Sequence, residues 1–335
     1  MKKIGVIFIV LSIYACSQNK EPKLMTVSGE AQGTTYHISY LDKNEVNYQR
    51  SIDSMLIEID KSMSTYHKTS IITKINQTDS AVKVDQMFKD VFLMSKQVYA
   101  ASEGAFDPTV APLVNAWGFG FKNLEKTDSS SIDSLLQFVD FDSFTLKEDL
   151  IIKSKPNLML DFNAIAQGYS VDVIANFLSE RGIENYMVEI GGEVLAKGKN
   201  NKNKWWRIGI DKPIENEKER TIEAVISLQN KALATSGNYR KFYEKNGVKY
   251  SHTLNPKTGY PVRHSLLSAT VITDNCAMAD AYATVFMVVG LEKAKEILEK
   301  NSNLKALLIF EDENKTLKTF VSKDIESTIE MNNKN

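Results

Sequence analysis

Asp280 and Thr284 stand four residues apart in a stretch that is otherwise apolar, with Ala277, Met278, Ala279, Ala281, Val285 and Phe286 around them. That spacing is close to one helical turn, so both side-chain oxygens project from one face. A carboxylate and a hydroxyl so placed suit a hard divalent cation, which takes oxygen ligands together with substrate phosphates. Buried in an apolar helix, the carboxylate needs such compensation; facing solvent, it needs none. His252, one of 4 histidines, is followed by Thr253-Leu254-Asn255-Pro256-Lys257-Thr258-Gly259. Those residues keep it on a loop, where an imidazole beside a hydroxyl substrate suits general-base work near neutral pH. His37 falls on a strand, His67 ends the turn after Met63, and His264 follows Arg263, so structural or solvated roles suffice for them.

Asp161-Phe162-Asn163-Ala164-Ile165-Ala166-Gln167-Gly168-Tyr169 is the stretch around which these residues are organised. The apolar Leu158-Met159-Leu160 before it reads as the end of a buried strand. Behind it, Val171, Ile174, Ala175 and Leu178 mark a helix that stops at Gly182. Small residues let a ligand approach the backbone, and the N–H groups of a first helical turn favour phosphate. A plain strand-to-helix connection capped by Asp or Asn gives the same pattern. Four further segments carry more glycine, proline and polar residues than folding needs. They are Gly104-Ala105-Phe106-Asp107-Pro108-Thr109, Glu189-Ile190-Gly191-Gly192-Glu193, Thr235-Ser236-Gly237-Asn238-Tyr239-Arg240, and the run from Ser251 to Gly259. Each alone reads equally well as a loop of turn residues.

The elements that must position them follow from periodicity. A strand is expected at Thr34–Tyr40, and helices at Tyr48–Ser62 and from a capping Asp85 to near Gly104. Ser131 is expected to cap a short helix, and Phe144–Leu146 with Leu150–Ile152 to form a hairpin. Strands are expected at Tyr186–Ile190, Trp205–Ile210, Ile222–Leu228 and Ser268–Ile272. Asn275 caps a helix from Cys276 to Val289, Gly290 breaks it, another reaches Lys300, and Lys305–Phe310 pairs with Leu317–Val321. Strands and helices mix without strict alternation, which predicts an α+β fold: a mixed, largely antiparallel sheet with packed helices, in one unit of one or two lobes.

The chain has 335 residues with Lys and Arg (41) balancing Asp and Glu (42), which argues against a nucleic-acid partner. At the N-terminus, Lys2 and Lys3 precede the apolar run Ile4–Ile13, too short to span a bilayer, and the run ends at Ala15-Cys16. This is a secretory signal whose end is similar to a bacterial lipobox, with Tyr14 bulkier than usual there. The expected boundaries are a signal peptide over 1–16, a tether over 17–28, a folded unit over 29–325 and a polar tail over 326–335. Cys16 and Cys276 are the 2 cysteines, so no internal disulfide forms once Cys16 is acylated. Cys276 reads as a buried packing residue.

Taken in order, Asp161–Tyr169, Gly-Gly-Glu at 191–193, Ser-Gly-Asn-Tyr-Arg at 236–240 and His-x-x-x-Pro-x-Thr-Gly at 252–259 resemble the FAD:protein FMN transferases, the ApbE-type flavin transferases. The resemblance runs from about Gly29 to Val321. It implies FAD contacts at Gln32, Tyr66, Ala105, Phe106, Asp107, Asp161, Gln167 and Leu254. It implies Mg2+ held by the Ala164 carbonyl, Asp280 and Thr284, with His252 as base. Gln32 stands where the family commonly has Met, Gln167 where Lys is common, and Asn255 where Asp is frequent. The implied reaction moves FMN from FAD to a Thr or Ser hydroxyl and releases AMP. The implied acceptors are flavoprotein subunits of membrane redox complexes, reached from a lipid anchor on the periplasmic side of the inner membrane. An FAD pyrophosphatase and a flavin-binding lipoprotein without chemistry are the alternatives.

Overall fold

The computed structural model describes residues 20–119, 129–214, 221–238, 242–245, 248–251 and 253–332. Cys16 and the signal segment, Tyr239, Arg240 and His252 lie outside the described residues.

The described chain opens on a hairpin of β1 (Lys23–Ala31) and β2 (Thr34–Asp42), turned through Gln32 and Gly33 at positive φ. α1 (Gln49–Met63) buries Ile52, Leu56, Ile59 and Met63 at the expected helical spacing. Then come α2 (Ile71–Gln77), β3 (Val82–Lys83) and α3 (Gln86–Ala101), whose Asp85 cap accepts the Phe88 N–H at 2.8 Å. α4 (Ala111–Ala116) and α5 (Ser129–Leu136) lead to the hairpin of β4 (Phe144–Lys147) and β5 (Leu150–Lys153). After α6 (Ala166–Glu180) follow β6 (Tyr186–Ile190), β7 (Glu193–Lys197), β8 (Trp206–Asp211), β9 (Ile222–Leu228) and β10 (Lys231–Gly237). β11 (Phe242–Lys245) pairs with β12 (Val248–Ser251). β13 (Leu266–Thr273) feeds α7 (Cys276–Val289), where the Asn275 side chain accepts the Met278 N–H. Gly290, at φ 80°, separates it from α8 (Leu291–Lys300). β14 (Lys305–Glu311), β15 (Leu317–Val321) and β16 (Ile329–Met331) complete the described chain.

The main sheet has 8 strands in the order β1-β2-β6-β7-β10-β13-β14-β15, and every neighbouring pair is antiparallel. Both of its faces are covered. On β14, Ala306 and Leu308 join the core beneath α7 and α3, whereas Leu307 and Ile309 join the core under the small sheet β16-β9-β8. That is the period of two a strand imposes. α7 is buried on nearly every side, as a helix apolar all round must be. This is the expected α+β architecture.

Several expectations are corrected. The tether placed over 17–28 gives way from Lys23 onward to β1, which ladders against β2 along its length; its irregular alternation hides a strand with one buried contact, Val27. The polar tail placed over 326–335 contains β16, an added edge to β9. Leu158–Leu160 is no strand: the Asn76 side chain, not a neighbouring strand, bonds the Leu160 N–H and carbonyl, at 2.7 and 2.8 Å. Ser131 lies inside α5 rather than capping it. β7 and β10, missed as strands, are central, because their glycine-bearing ends masked the pattern.

Candidate active site

The site begins where α6 meets α7. The Gly168 N–H, in the first turn of α6, donates to Asp280 Oδ2 at 3.2 Å. Only glycine permits this approach, since a Cβ there would lie 2.3 Å from the Cys276 carbonyl oxygen. One turn along, Asp172 accepts the N–H groups of Cys276 (2.7 Å) and Ala277 (2.9 Å), so α6 caps α7 with a side chain. Burial pushes Asp172 up to about 6 against those two hydrogen bonds. Asp280 is 6% exposed, so the solvent-facing alternative is excluded, and burial holds its carboxyl above the usual range. Thr284, one turn further on α7, sits 3.4 Å from Ser236 Oγ on β10. Most of the first turn of α6 is already engaged: Ala166 and Tyr169 donate to Phe162 and Ile165 carbonyls, and Gly168 to Asp280. Nor does Asp161 or Asn163 cap that helix, which starts after Ile165.

Asp280 and Thr284 open onto a cavity of about 580 Å³. Tyr66, from the turn after α1, stands at it with 72% of its surface exposed, an aromatic face suited to a flat ring. The segment between α3 and α4 supplies Ala105, Phe106 and Asp107; the lead-in to α6 supplies Asp161 and Ala164, and its first turn Gln167; Leu254 closes another side. Asp107 is fixed by the Thr109 N–H at 2.8 Å and hydroxyl at 2.5 Å. Asp161 accepts from the Asn163 backbone at 2.7 Å, while its own N–H bonds the Pro108 carbonyl and so ties two walls together. Burial raises both carboxyls, with Thr109 and Asn163 respectively opposing.

Every candidate residue therefore meets at one cavity except two. Gln32 is not on its wall; at φ 55° in the β1–β2 turn, it donates to Ser170 Oγ on α6 at 2.6 Å. His252 lies outside the described residues, although Thr253 and Leu254 beside it line the cavity. His37, exposed and 2.9 Å from Glu189, and His264, bonded to the Met287 carbonyl at 2.9 Å, do not line it.

Sequence reasoning gave no role to β8, whose Ile208, Gly209, Ile210 and Asp211 form a wall, nor to Glu193. Glu193 stood in a flagged segment, and its place directly after two glycines in a turn was the available signal. It is 8% exposed, and its Oε2 has no hydrogen-bond partner. Burial, and then the Asp280 charge, raises its carboxyl well above the usual range.

The donor set can be judged on its chemistry. Asp107, Asp161, Glu193, Asp211 and Asp280 line the cavity, and no Lys, Arg or His does among the described residues. Asp280 has one long hydrogen bond, Glu193 an unpaired oxygen, Thr284 a hydroxyl, and Ala164 is at the wall. Such hard oxygens fit magnesium, which uses one or two carboxylates and leaves room for substrate phosphates. No group of three His, Cys, Asp or Glu side chains able to cage a metal forms among the described residues, and such a cage is not what magnesium needs.

Comparison with known proteins agrees with this geometry. The ApbE family model matches residues 32–308. A Haemophilus influenzae protein named FAD:protein FMN transferase is 38% identical over 94% of this chain and 95% of its own length. A Vibrio cholerae protein of the same name is 37% identical over 84% and 86%. The solved structure of the flavin transferase ApbE from Vibrio cholerae superposes with a TM-score of 0.82 at 34% identity, covering 92% of this chain and 99% of that one. The apo flavinyl transferase ApbE of Pseudomonas stutzeri gives 0.82 at 29% identity, over 92% and 97%. A family model spanning most of the chain, relatives matched nearly end to end and a shared fold leave one conclusion: this chain is a member of the ApbE family.

Proposed function

We propose that this protein transfers FMN from FAD to a Thr or Ser hydroxyl of an acceptor protein, with magnesium, and releases AMP. The observation that carries the reading is a cavity large enough for a nucleotide whose described wall holds five carboxylates and no cationic side chain. A pyrophosphate is repelled by such a wall unless a cation lies between them. Asp280, Thr284 and the Ala164 carbonyl would hold that cation, with Gly168 fixing the Asp280 carboxylate. Bound there, magnesium would withdraw charge from the phosphate oxygens.

The chain's own residues supply the rest. Tyr66 and Phe106 offer aromatic surface for the flavin or adenine ring, and Asp107, Asp161 and Gln167 offer hydrogen-bonding groups beside it. His252 accepts the proton of the acceptor hydroxyl. The hydroxyl oxygen forms a bond to the FMN-side phosphorus, the pyrophosphate bridge breaks, and AMP leaves with the bridging oxygen. The acceptors are flavoprotein subunits of membrane redox complexes, and a lipid on Cys16 keeps the enzyme on the outer side of the bacterial inner membrane. No described helix is long and apolar enough to cross a membrane; with the lipid on Cys16 as anchor, Cys16→Ala is expected to release the protein.

The test is mass spectrometry of a candidate acceptor after incubation with FAD, magnesium and this protein. A gain of one FMN with AMP release supports transfer. AMP and free FMN without acceptor modification identify a pyrophosphatase. Bound FAD with no AMP identifies a flavin-binding protein.

A further inference from the structure

We propose that Glu193 is a second carboxylate of the cation site, supplying charge beside Asp280 so that a hard divalent cation binds before the flavin arrives. The inference rests on the cation reading of the site and adds a residue to it.

Glu193 opens β7 directly after Gly191 and Gly192, and its side chain reaches the same cavity as Asp280 and Thr284. It is 8% exposed, yet its Oε2 has no partner. A buried carboxylate oxygen is rarely left so without a reason. The next residue places it: the Cys276 thiol contacts the Val194 carbonyl at 3.6 Å. Cys276 and Asp280 are one turn apart on α7, so the start of β7 lies against the face that carries Asp280. Gly168 gives Asp280 a single N–H at 3.2 Å, a weak answer to its charge, and Glu193 Oε2 has no partner. No Lys, Arg or His on the described wall can balance the two. A small divalent cation can, and magnesium sites commonly use one or two carboxylates with water and phosphate filling the remaining positions. The acidic pair then has a purpose in the flavin-free protein: it loads the cation that later meets the phosphates.

The experiment uses the flavin-free full chain and Mn2+ as a paramagnetic probe, with Mg2+ as competitor. Glu193→Gln keeps the shape and removes the charge. Its Mn2+ affinity is expected to fall roughly ten- to a hundredfold; Mg2+ is expected to raise the unfolding temperature of the parent protein and to raise that of the variant less. Glu193→Asp, which keeps the charge on a shorter stem, is expected to bind better than Glu193→Gln. Asp280→Asn is the reference for a lost ligand. Glu193→Gln binding Mn2+ like the parent while Asp280→Asn does not would overturn the role of Glu193 and leave the cation reading standing. A parent protein that binds no Mn2+ would overturn both. Equal loss in the Asp and Gln variants, with both folded in cation-free buffer, would overturn a role for charge.

Discussion

Gly168→Ala tests the contact on which the site is built. In an unconstrained helix, replacing Gly by Ala stabilises by about 1 kcal/mol. Here the new Cβ would lie 2.3 Å from the Cys276 oxygen, 2.6 Å from its carbonyl carbon and 2.9 Å from the Ala277 Cα. All three are backbone atoms of α7, so no side chain can swing aside. α6 must move off α7 by roughly 1 Å, and overpacking of this kind costs about 1–3 kcal/mol. The movement also stretches the Gly168 N–H bond to Asp280, already 3.2 Å; a hydrogen bond to a charged group is worth about 1.5–3 kcal/mol. Set against the helix gain, the variant is expected to lose about 2–5 kcal/mol in urea unfolding. A folded fraction at low temperature is expected to bind Mg2+ more weakly, because Asp280 is no longer held. The sign decides the matter. A variant as stable as the parent, or more stable, with cation binding unchanged would refute the close approach of the two helices and the positioning role of Gly168.

Gly191→Ala sets a side chain at φ 63° with its Cβ 1.8 Å from the Gln167 amide nitrogen. Gln167 can swing away, so the expected stability loss is only about 1–2 kcal/mol, whereas FAD affinity, read by flavin fluorescence, should fall. Asp172 makes a pH prediction. Its carboxyl is raised from 3.8 to about 6 in the folded state, so the native protein binds the extra proton and this group's contribution is full below pH 4 and lost as pH rises through about 6. Unfolding free energy in cation-free buffer should carry a declining component of roughly 1–3 kcal/mol across that window. Asp172→Asn should remove this component and leave that of the other raised carboxyls, Asp280 among them; an unchanged profile would reject the assignment. His252→Asn should bind FAD with magnesium as the parent does but slow acceptor labelling about 10²–10⁴-fold, the usual contribution of a base. In-gel flavin fluorescence measures it, and proportional loss of binding and transfer would make His252 a cofactor ligand instead.

Much of this protein is legible in its sequence wherever the information is local. The pattern Ile52, Leu56, Ile59, Met63 dictates α1, and the side chains of Asp85 and Asn275 cap α3 and α7. Asp280 and Thr284 share a face because helical geometry requires it. The order of the glycine-bearing motifs was enough to indicate the family. What depends on contact between distant segments was not legible. Strand β1 passed for a tether because an edge strand with one buried contact has little periodicity, and its ladder to β2 exists only in the folded sheet. The hydrogen bond of Gln32 to Ser170 is not legible either, because sequence gives its neighbours but not its direction, and Ser170 is 138 positions away. The burial of Asp280, the engagement of the Gly168 N–H by that carboxylate, and the unpaired Glu193 oxygen all arise from packing α6, β7 and α7 together. Local sequence chooses the helix and strand that carry each charged group. Only the tertiary structure decides which charges lose their water and face each other, because desolvation and Coulomb energy depend on distance in space rather than along the chain.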